Sequence, residues 1–163
     1  MRIVALFITL FALDLSLFSQ DSIPKGIMEL EVLQKPPYSS WFVPEYDHYK
    51  LNVKALNRCR KRVNDKLRVI IFMGTWCSDS RREVPRFYKV LDNLVIPEVQ
   101  TKLIFVDRSK DDGNGEATKY QIVKVPTFII TNERGKELGR IVESPAQSLE
   151  KDICRILNGE EGK

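Results

Sequence analysis

The stretch LRVIIFMGTWCSDSRREVP, at residues 67–85, contains an apolar run, one cysteine and a charged segment in that order. The run at 67–73 is short and rich in β-branched residues, which predicts a central strand covered on both faces. Beyond the cysteine, four apolar residues recur at helical spacing and predict one buried stripe: Val84, Phe87, Val90 and Leu91. Cys77 therefore lies where a buried strand ends and a helix begins.

The start of a helix is a favourable place for a negatively charged sulfur atom. Backbone N–H groups there have no helical partner, and they stabilise an exposed anion by about 0.3–1 kcal/mol. Stronger activation of Cys77 needs a second contributor, and we expect the Ser80 hydroxyl to donate a hydrogen bond to the thiolate. Arg81 or Arg82 adds positive charge one turn further on, whereas Asp79 opposes it. The sequence thus predicts a moderately activated thiol.

The remaining hydrophobic pattern predicts alternating helices and strands. Residues 48–64 have the spacing of an amphipathic helix, and KLIFVD at 102–107 predicts a second buried strand. Strands at 126–130 and 137–142 are separated by the turn sequence NERG, which favours an antiparallel hairpin, and a last helix begins near residue 145. Strands joined by crossover helices form parallel pairs. We therefore predict an α/β fold whose mixed central sheet has a parallel core, an antiparallel C-terminal hairpin and helices on both faces.

Several of these features, taken in order along the chain, resemble the thioredoxin family. The matching positions are a Trp-Cys pair after a strand, a proline in the next helix, a Val-Pro-Thr turn and a hairpin glycine: Trp76, Cys77, Pro85, Val125, Pro126, Thr127 and Gly135. The resemblance covers about residues 48–157. The segment from GTWC to REVPRF is also similar to that of exported bacterial thioredoxin-like proteins. The resemblance implies the thioredoxin fold, with a cis-proline turn at Val125–Pro126 that faces Cys77.

The sequence departs from the usual thioredoxin pattern at three positions. Ser80 stands where the family has a second, resolving cysteine, and Ile71 stands where it has a buried aspartate that helps to deprotonate that cysteine. The two departures agree with each other, because a buried carboxylate is costly and has no task without a second thiol. By approximate alignment, Glu143 replaces a glycine beside the substrate groove, which makes the partner surface less apolar.

The resemblance implies thiol–disulfide exchange in which one cysteine acts alone. Cys77 and Ser80 are the predicted catalytic residues, and the predicted substrate-binding residues are Trp76, Val125, Pro126 and Thr127. A serine does not expel a mixed disulfide, so release needs an outside thiol or another cysteine of the substrate. This chemistry permits disulfide isomerisation or deglutathionylation, with protein or small-molecule thiols and disulfides as partners and no cofactor. The alternative is a redox-inactive thioredoxin-fold module that binds peptides or acts as a chaperone.

Cys59 and Cys154 are expected neither to resolve Cys77 nor to pair with each other. In the thioredoxin topology, the helix before the first central strand lies on the face opposite to the last helix, so we expect these two sulfur atoms to be too far apart for a disulfide. We predict that both cysteines are half-buried small hydrophobic residues. An intermolecular bridge through Cys59 is the alternative.

Residues 1–20 have the pattern of a secretory signal peptide, because Arg2 precedes an apolar run that small or polar residues follow, with cleavage near Ser19. A buried or membrane-anchored N-terminal helix is the alternative. The aromatic and proline-rich segment 21–47 is predicted to be an irregular arm, and 48–163 a thioredoxin-like domain. Export implies a periplasmic or secreted protein with no membrane contact after cleavage, and we expect a monomer.

The charge pattern does not favour nucleic-acid binding or a metal site. The formal net charge is +4, and the basic residues are densest at 58–68, where no aromatic residues alternate with them for base stacking. His48 is the single histidine and has no companions at metal-ligand spacing, so we expect it on the surface. The acidic segment 107–116 does not have EF-hand spacing and predicts a polar turn.

Overall fold

The computed structural model describes residues 23–160 of the chain. Its centre is a sheet of five strands: β1 (Gly26–Met28), β2 (Arg68–Met73), β3 (Thr101–Phe105), β4 (Thr127–Thr131) and β5 (Glu137–Val142). Their spatial order is β1-β3-β2-β4-β5. Strands β2 and β3 run parallel, and each of the other neighbouring pairs is antiparallel. The predicted mixed sheet with its C-terminal hairpin is confirmed, and β1 adds an edge strand that the sequence pattern does not predict.

Alternate side chains of β2 enter two separate cores, one on each face of the sheet. Val69, Ile71 and Met73 belong to the larger core, whereas Ile70 and Phe72 belong to the smaller one. Successive residues of a strand point to opposite faces, so an uninterrupted apolar run is what a doubly covered strand requires. Ile71, at the position of the family's aspartate, is fully buried in the larger core.

Within the described residues, five helices cover the sheet: α1 (Ser39–His48), α2 (Val53–Leu56), α3 (Ser78–Leu94), α4 (Glu116–Lys119) and α5 (Leu149–Asn158). Single 3-10 turns lie at Leu30–Val32, Arg60–Arg62 and Glu98–Gln100. The larger core contains buried residues of α1, α2, α3 and α5, and the smaller core lies under α4. Helices therefore lie on both faces, as predicted. The ring of Phe87 on α3 stacks on Phe128 of β4 with centroids 4.1 Å apart, which fixes α3 over the centre of the sheet.

The segment 21–47, predicted as an irregular arm, contains regular structure in its described part. Strand β1 pairs with β3 and α1 packs against α3, so the predicted boundary at residue 47 falls inside α1. Aromatic residues of this segment recur at helical spacing, and the ring of Phe42 lies 6.2 Å from that of Tyr88 on α3. Prolines obscure that spacing in the sequence, yet Pro44 is accommodated within α1.

The single helix predicted over 48–64 is divided in the structure. Helix α1 ends at His48, which is exposed, and α2 contains four residues before a 3-10 turn follows. Asn52 separates the two helices because its side-chain oxygen accepts a hydrogen bond from the Ala55 N–H at 3.1 Å, which starts a new helix. The last helix begins at Leu149 rather than near 145.

Cys59 and Cys154 form a disulfide, so the prediction that they do not pair is wrong. Helices α2 and α5 pack against each other, and the two Cα atoms lie 5.0 Å apart with both side chains buried. The prediction placed the helix before β2 on the face opposite to α5. Instead, the chain from α1 to α2 crosses the same face as α3 and α5, and it is joined to the larger core there.

Within residues 23–160, no helix has both the length and the apolar character that crossing a membrane demands. The predicted signal peptide at 1–20 lies outside the described residues.

Candidate active site

Cys77 immediately precedes α3, and three residues separate it from the end of β2. Its N–H donates to the Gly74 carbonyl at 3.0 Å, and its carbonyl accepts a hydrogen bond from the Arg81 N–H at 3.0 Å. The sulfur atom belongs to a partly exposed residue that packs at the edge of the smaller core. The structure thus places Cys77 between the strand and the helix, with backbone N–H groups of the first helical turn beside it.

The Val125–Pro126 turn lies directly against Cys77. The peptide bond between these two residues is cis, and Cys77 Sγ donates to the Val125 carbonyl at 3.2 Å. Sheet register accounts for this proximity, because Thr127 at the start of β4 pairs with Phe72 near the end of β2. The Thr127 hydroxyl donates to the carbonyl three residues before it at 2.7 Å, which closes the turn. Cys77 and the three turn residues predicted to bind substrate, Val125, Pro126 and Thr127, are therefore neighbours in space.

Ser80 does not make the hydrogen bond to sulfur that the sequence led us to expect. Its side chain is fully buried, and its Oγ accepts a hydrogen bond from the Gly74 N–H at 3.3 Å. No hydrogen bond joins Ser80 to Cys77 Sγ within the described chain. Ser80 lies one turn into α3 on the side that faces β2, so its hydroxyl ties the first helical turn to the end of the strand instead.

Trp76 is held beside Cys77 by contacts on its ring and on its nitrogen. The indole Nε1 donates to the Val106 carbonyl at 3.0 Å, in the residue that follows β3. A Cβ atom added at Gly74 would lie 2.5 Å from Trp76 Cε2, so the absence of a side chain at Gly74 makes room for the indole. Trp76 and Cys77 both pack against the smaller core, which fixes the indole next to the thiol.

The charged residues at the start of α3 are largely paired with one another. Arg82 contacts Asp79 at 2.8 Å and Glu83 at 2.7 Å, so its charge is shared between two carboxylates. Arg81 is exposed and donates through Nε to the Thr75 carbonyl at 2.6 Å. Of the two arginines considered as activators of Cys77, Arg81 is therefore the one without a carboxylate partner in the described chain.

Glu143 flanks the cis-proline turn in a conformation that glycine adopts with less strain. Its φ is 60°, and its N–H donates to the Pro126 carbonyl at 2.7 Å. Its carboxylate accepts from Lys124 Nζ at 2.7 Å, and this hydrogen bond raises the pKa of Lys124. An ion pair thus lies beside the cis-proline turn, at a position where the resemblance to the family led us to expect a substrate groove.

Two cations near Trp76 were not identified from the sequence. Arg108 Cζ lies 5.1 Å from the centre of a Trp76 ring, and Lys110 Nζ lies 5.7 Å from it. Their position follows from the parallel pairing of β2 with β3, because the loops after parallel strands emerge at the same edge of a sheet. Applied to the segment after residue 105, the rule that such loops share one edge would have placed both cations near Trp76 from the sequence alone. Within residues 23–160, no group of three or more potential metal-binding side chains converges.

Comparison with known proteins places the chain among thioredoxins. A family model described as thioredoxin matches residues 44–153. Thioredoxin H2 of Arabidopsis thaliana is 27% identical over 57% of this chain and 65% of its own length, so just under two thirds of that relative is spanned. A thioredoxin of Pongo abelii is 27% identical over 63% of this chain and 92% of its own length. The fold is similar to that of a Pseudomonas aeruginosa protein of unknown function, with a TM-score of 0.52, 16% identity, and coverage of 74% of this chain and 82% of the other.

The matched region includes the Cys77 loop, the cis-proline turn and the C-terminal hairpin. It also includes α3, which positions the cysteine, and the parallel strands β2 and β3, which are followed by the segments that carry Cys77 and Arg108. This chain belongs to the thioredoxin family.

Proposed function

We propose that the protein carries out thiol–disulfide exchange through a single nucleophilic thiol, that of Cys77. The observation that carries the proposal is the position of this sulfur: partly exposed, at the start of α3 and 3.2 Å from the Val125 carbonyl. Of the chain's three cysteines, Cys77 is the one outside the disulfide. A buried hydroxyl at Ser80 occupies the place of a second thiol.

The proposed reaction exchanges one disulfide for another without net oxidation. The Cys77 thiolate attacks one sulfur of a substrate disulfide, the substrate S–S bond breaks, and its other sulfur leaves as a thiolate that takes up a proton. A mixed disulfide between Cys77 and the substrate remains. In isomerisation, another thiolate of the substrate attacks the substrate sulfur of that bond, which forms a new substrate disulfide and releases Cys77 as a thiolate. In deglutathionylation, the substrate is a glutathionylated protein: Cys77 attacks the glutathione sulfur, and the protein thiolate leaves and takes up a proton. Free glutathione then attacks the glutathione sulfur bound to Cys77, which forms glutathione disulfide and releases Cys77.

We further propose that the protein works in an oxidising compartment, the periplasm or the exterior of the cell. The Cys59–Cys154 disulfide supports this proposal, because stable disulfides are rare in reducing compartments. The signal-peptide pattern of residues 1–20 points to the same compartment. Because Cys59 and Cys154 are bonded and buried, they are not available as resolving thiols for Cys77.

The experiment is capture of the mixed disulfide at Cys77. Glutathione disulfide should add one glutathione to the protein, measured as a mass increase, because the partly exposed sulfur attacks the disulfide bond. Cys77→Ser should abolish the addition. The absence of a glutathione adduct, in a folded protein whose Cys77 is alkylated by iodoacetamide, contradicts the proposal.

A second candidate function is peptide binding without redox chemistry. Val123 is 75% exposed and lies two residues before Val125, so an apolar side chain borders the cis-proline turn. A peptide-binding module retains its capacity to suppress aggregation of an unfolded client in Cys77→Ser, whereas the exchange mechanism requires the sulfur. Equal activity of the two proteins in refolding a client with scrambled disulfides therefore favours the binding module.

A further inference from the structure

We propose that Arg108 and Lys110 form a recognition site for carboxylates beside the substrate's sulfur, so that the preferred partners are polypeptide disulfides flanked by Asp or Glu. This inference rests on the proposed exchange function of Cys77 and names the substrate class for it. The two cations lie over Trp76, at 5.1 and 5.7 Å from the centre of the ring, and Trp76 is the residue next to Cys77.

The loop that carries the two cations is tightly organised. The Asp107 carboxylate accepts hydrogen bonds from the Ser109 hydroxyl at 2.6 Å, the Ser109 N–H at 2.9 Å and the Asp111 N–H at 3.1 Å. The Ser109 hydroxyl is the main reason that the pKa of Asp107 is lowered. Lys110 has a φ of 68°, a left-handed conformation that is unfavourable for a residue with a side chain. Its ammonium group donates to the Arg108 carbonyl at 3.0 Å, so the turn itself holds the charge near the ring.

The carboxylates of the same loop are used elsewhere, which leaves the two cations available. Asp107 and Asp111 contact Lys25 at 3.5 and 2.6 Å. Asp112 is buried and accepts from backbone N–H groups at the start of α4, including that of Ala117 at 3.0 Å. Within the described chain, neither Arg108 nor Lys110 forms an ion pair. The three acidic residues of this loop, Asp107, Asp111 and Asp112, therefore do not neutralise them.

The chemistry of this arrangement favours an anionic segment of polypeptide. Arg108 is exposed and its guanidinium presents several donors in one plane, a geometry that matches a carboxylate. The aromatic ring holds both cations in place and so reduces the conformational entropy lost when a carboxylate binds. Arg108 is exposed and Trp76, Cys77 and Lys110 are partly exposed, which suits an extended chain that passes over Trp76 and reaches Cys77. A carboxylate one or two residues from the substrate's cysteine would lie within reach of this pair.

The test compares exchange rates with two synthetic peptide disulfides that differ only in the residues flanking the cysteine, Asp in one and Lys in the other. We expect the native protein to react about tenfold faster with the Asp peptide, from two exposed charge contacts. The preference should shrink as salt concentration rises, because the contacts are exposed. In the double variant Arg108→Gln and Lys110→Gln, the two peptides should react at about the same rate. The single variant Arg108→Lys should retain part of the preference for the Asp peptide.

A matched control removes two exposed cations from the opposite end of the sheet. Arg134→Gln with Lys136→Gln changes the net charge by the same amount in the turn after β4. A strand of five residues separates that turn from the cis-proline, about 17 Å. The control should keep the full preference, and its Cys77 should be alkylated by neutral iodoacetamide at the native rate. In each variant the preference is a ratio of two rates measured on the same protein, so a change in thiol reactivity alone does not alter it.

The outcomes separate this inference from the proposed function. Equal rates with both peptides, or an equal loss of preference in the control variant, overturns the recognition site while exchange by Cys77 stands. No reaction with either peptide, in a protein whose Cys77 is still alkylated, overturns the exchange function itself. If the Lys peptide reacts faster than the Asp peptide, the proposal that Arg108 and Lys110 bind carboxylates is wrong.

Discussion

At the scale of single residues, Gly74 is the position on which the arrangement of the active site depends most directly. A methyl group there would lie 2.5 Å from Trp76 Cε2, and the Gly74 N–H donates to Ser80 Oγ. The same residue also accepts the hydrogen bond from the Cys77 N–H. One glycine therefore lies against the indole of Trp76, the helix and the cysteine at once.

We expect Gly74→Ala to lower the free energy of unfolding by about 1–3 kcal/mol, because the added methyl group forces the indole or the backbone to move. Tryptophan fluorescence should change, and Cys77 should be alkylated faster because the indole packed beside it is displaced. Urea unfolding and alkylation rates measure the two effects. In a Trp76→Leu background the ring is absent, so the stability cost of Gly74→Ala should shrink; an equal cost in both backgrounds contradicts the explanation.

The sequence predicted the placement of Cys77 better than the role of its neighbours. The position of Cys77 follows from an apolar run and a helical stripe, both of which are local patterns. Ser80 was expected to donate to the sulfur, but its side-chain direction depends on how α3 packs over β2, and the hydroxyl contacts Gly74 instead. Arg108 and Lys110 were missed because their proximity to Trp76 arises from the pairing of two distant strands.

At the scale of elements, α1 is attached to α3 through tyrosines as well as apolar side chains. The Tyr46 hydroxyl donates to an Asp92 carboxylate oxygen at 2.5 Å, and Tyr88 is buried in the larger core. The Tyr49 hydroxyl donates to the buried carboxylate of Glu150, on α5, at 3.1 Å. Burial is the main cause that raises the pKa of all three tyrosines, and that of Tyr46 is raised to about 12.

These shifts predict a loss of stability at alkaline pH. An unfolded tyrosine loses its proton near about pH 10, whereas folded Tyr46 keeps it until about 12. Between these values the folded chain binds more protons than the unfolded chain, so the free energy of unfolding falls as pH rises. The stabilisation is fully present below pH 10 and is lost as pH passes through 12.

Urea unfolding measured at about pH 9 and about pH 11 tests whether Tyr46 contributes to the loss of stability at alkaline pH. Tyr46→Phe lacks the ionising group, so its stability should fall less over this interval than that of the native protein. The same fall in both proteins would show that Tyr46 does not contribute to the alkaline sensitivity.

Local patterns also account for which elements were predicted. Strand β2, the stripe of α3 and the hairpin of β4 and β5 follow from periodicity and turn residues, and all are confirmed. Helix α1 was missed because prolines interrupt a segment whose aromatic residues nevertheless have helical spacing. The face on which α2 packs is a tertiary property that no local pattern contains, and the error about Cys59 and Cys154 followed from it.

At the scale of the whole molecule, the Cys59–Cys154 disulfide closes a loop that contains most of the domain. The two cysteines are 95 residues apart, and β2, α3, β3, α4, β4 and β5 all lie between them. A bridge over so long a segment restricts the unfolded chain strongly. The contact between α2 and α5 therefore joins the segment before β2 to the last helix of the fold.

We expect replacement of both cysteines by alanine to lower the free energy of unfolding by about 2–4 kcal/mol. The measurement is urea unfolding in a Cys77→Ser background, so that no free thiol is present to exchange. Reductant should destabilise the parent by a similar amount and leave the double alanine variant unchanged. If reductant has no effect on the parent, the bridge does not stabilise the fold.

The bridge joins the first and the third cysteine in chain order, with Cys77 as the second. During synthesis Cys59 and Cys77 are both present before Cys154 is made, so a bond between Cys59 and Cys77 can form before the native one. Cys77 is therefore a competitor of Cys154 for Cys59 while the domain folds. Burial of Cys59 in its bond to Cys154 ends that competition and leaves Cys77 as the free cysteine.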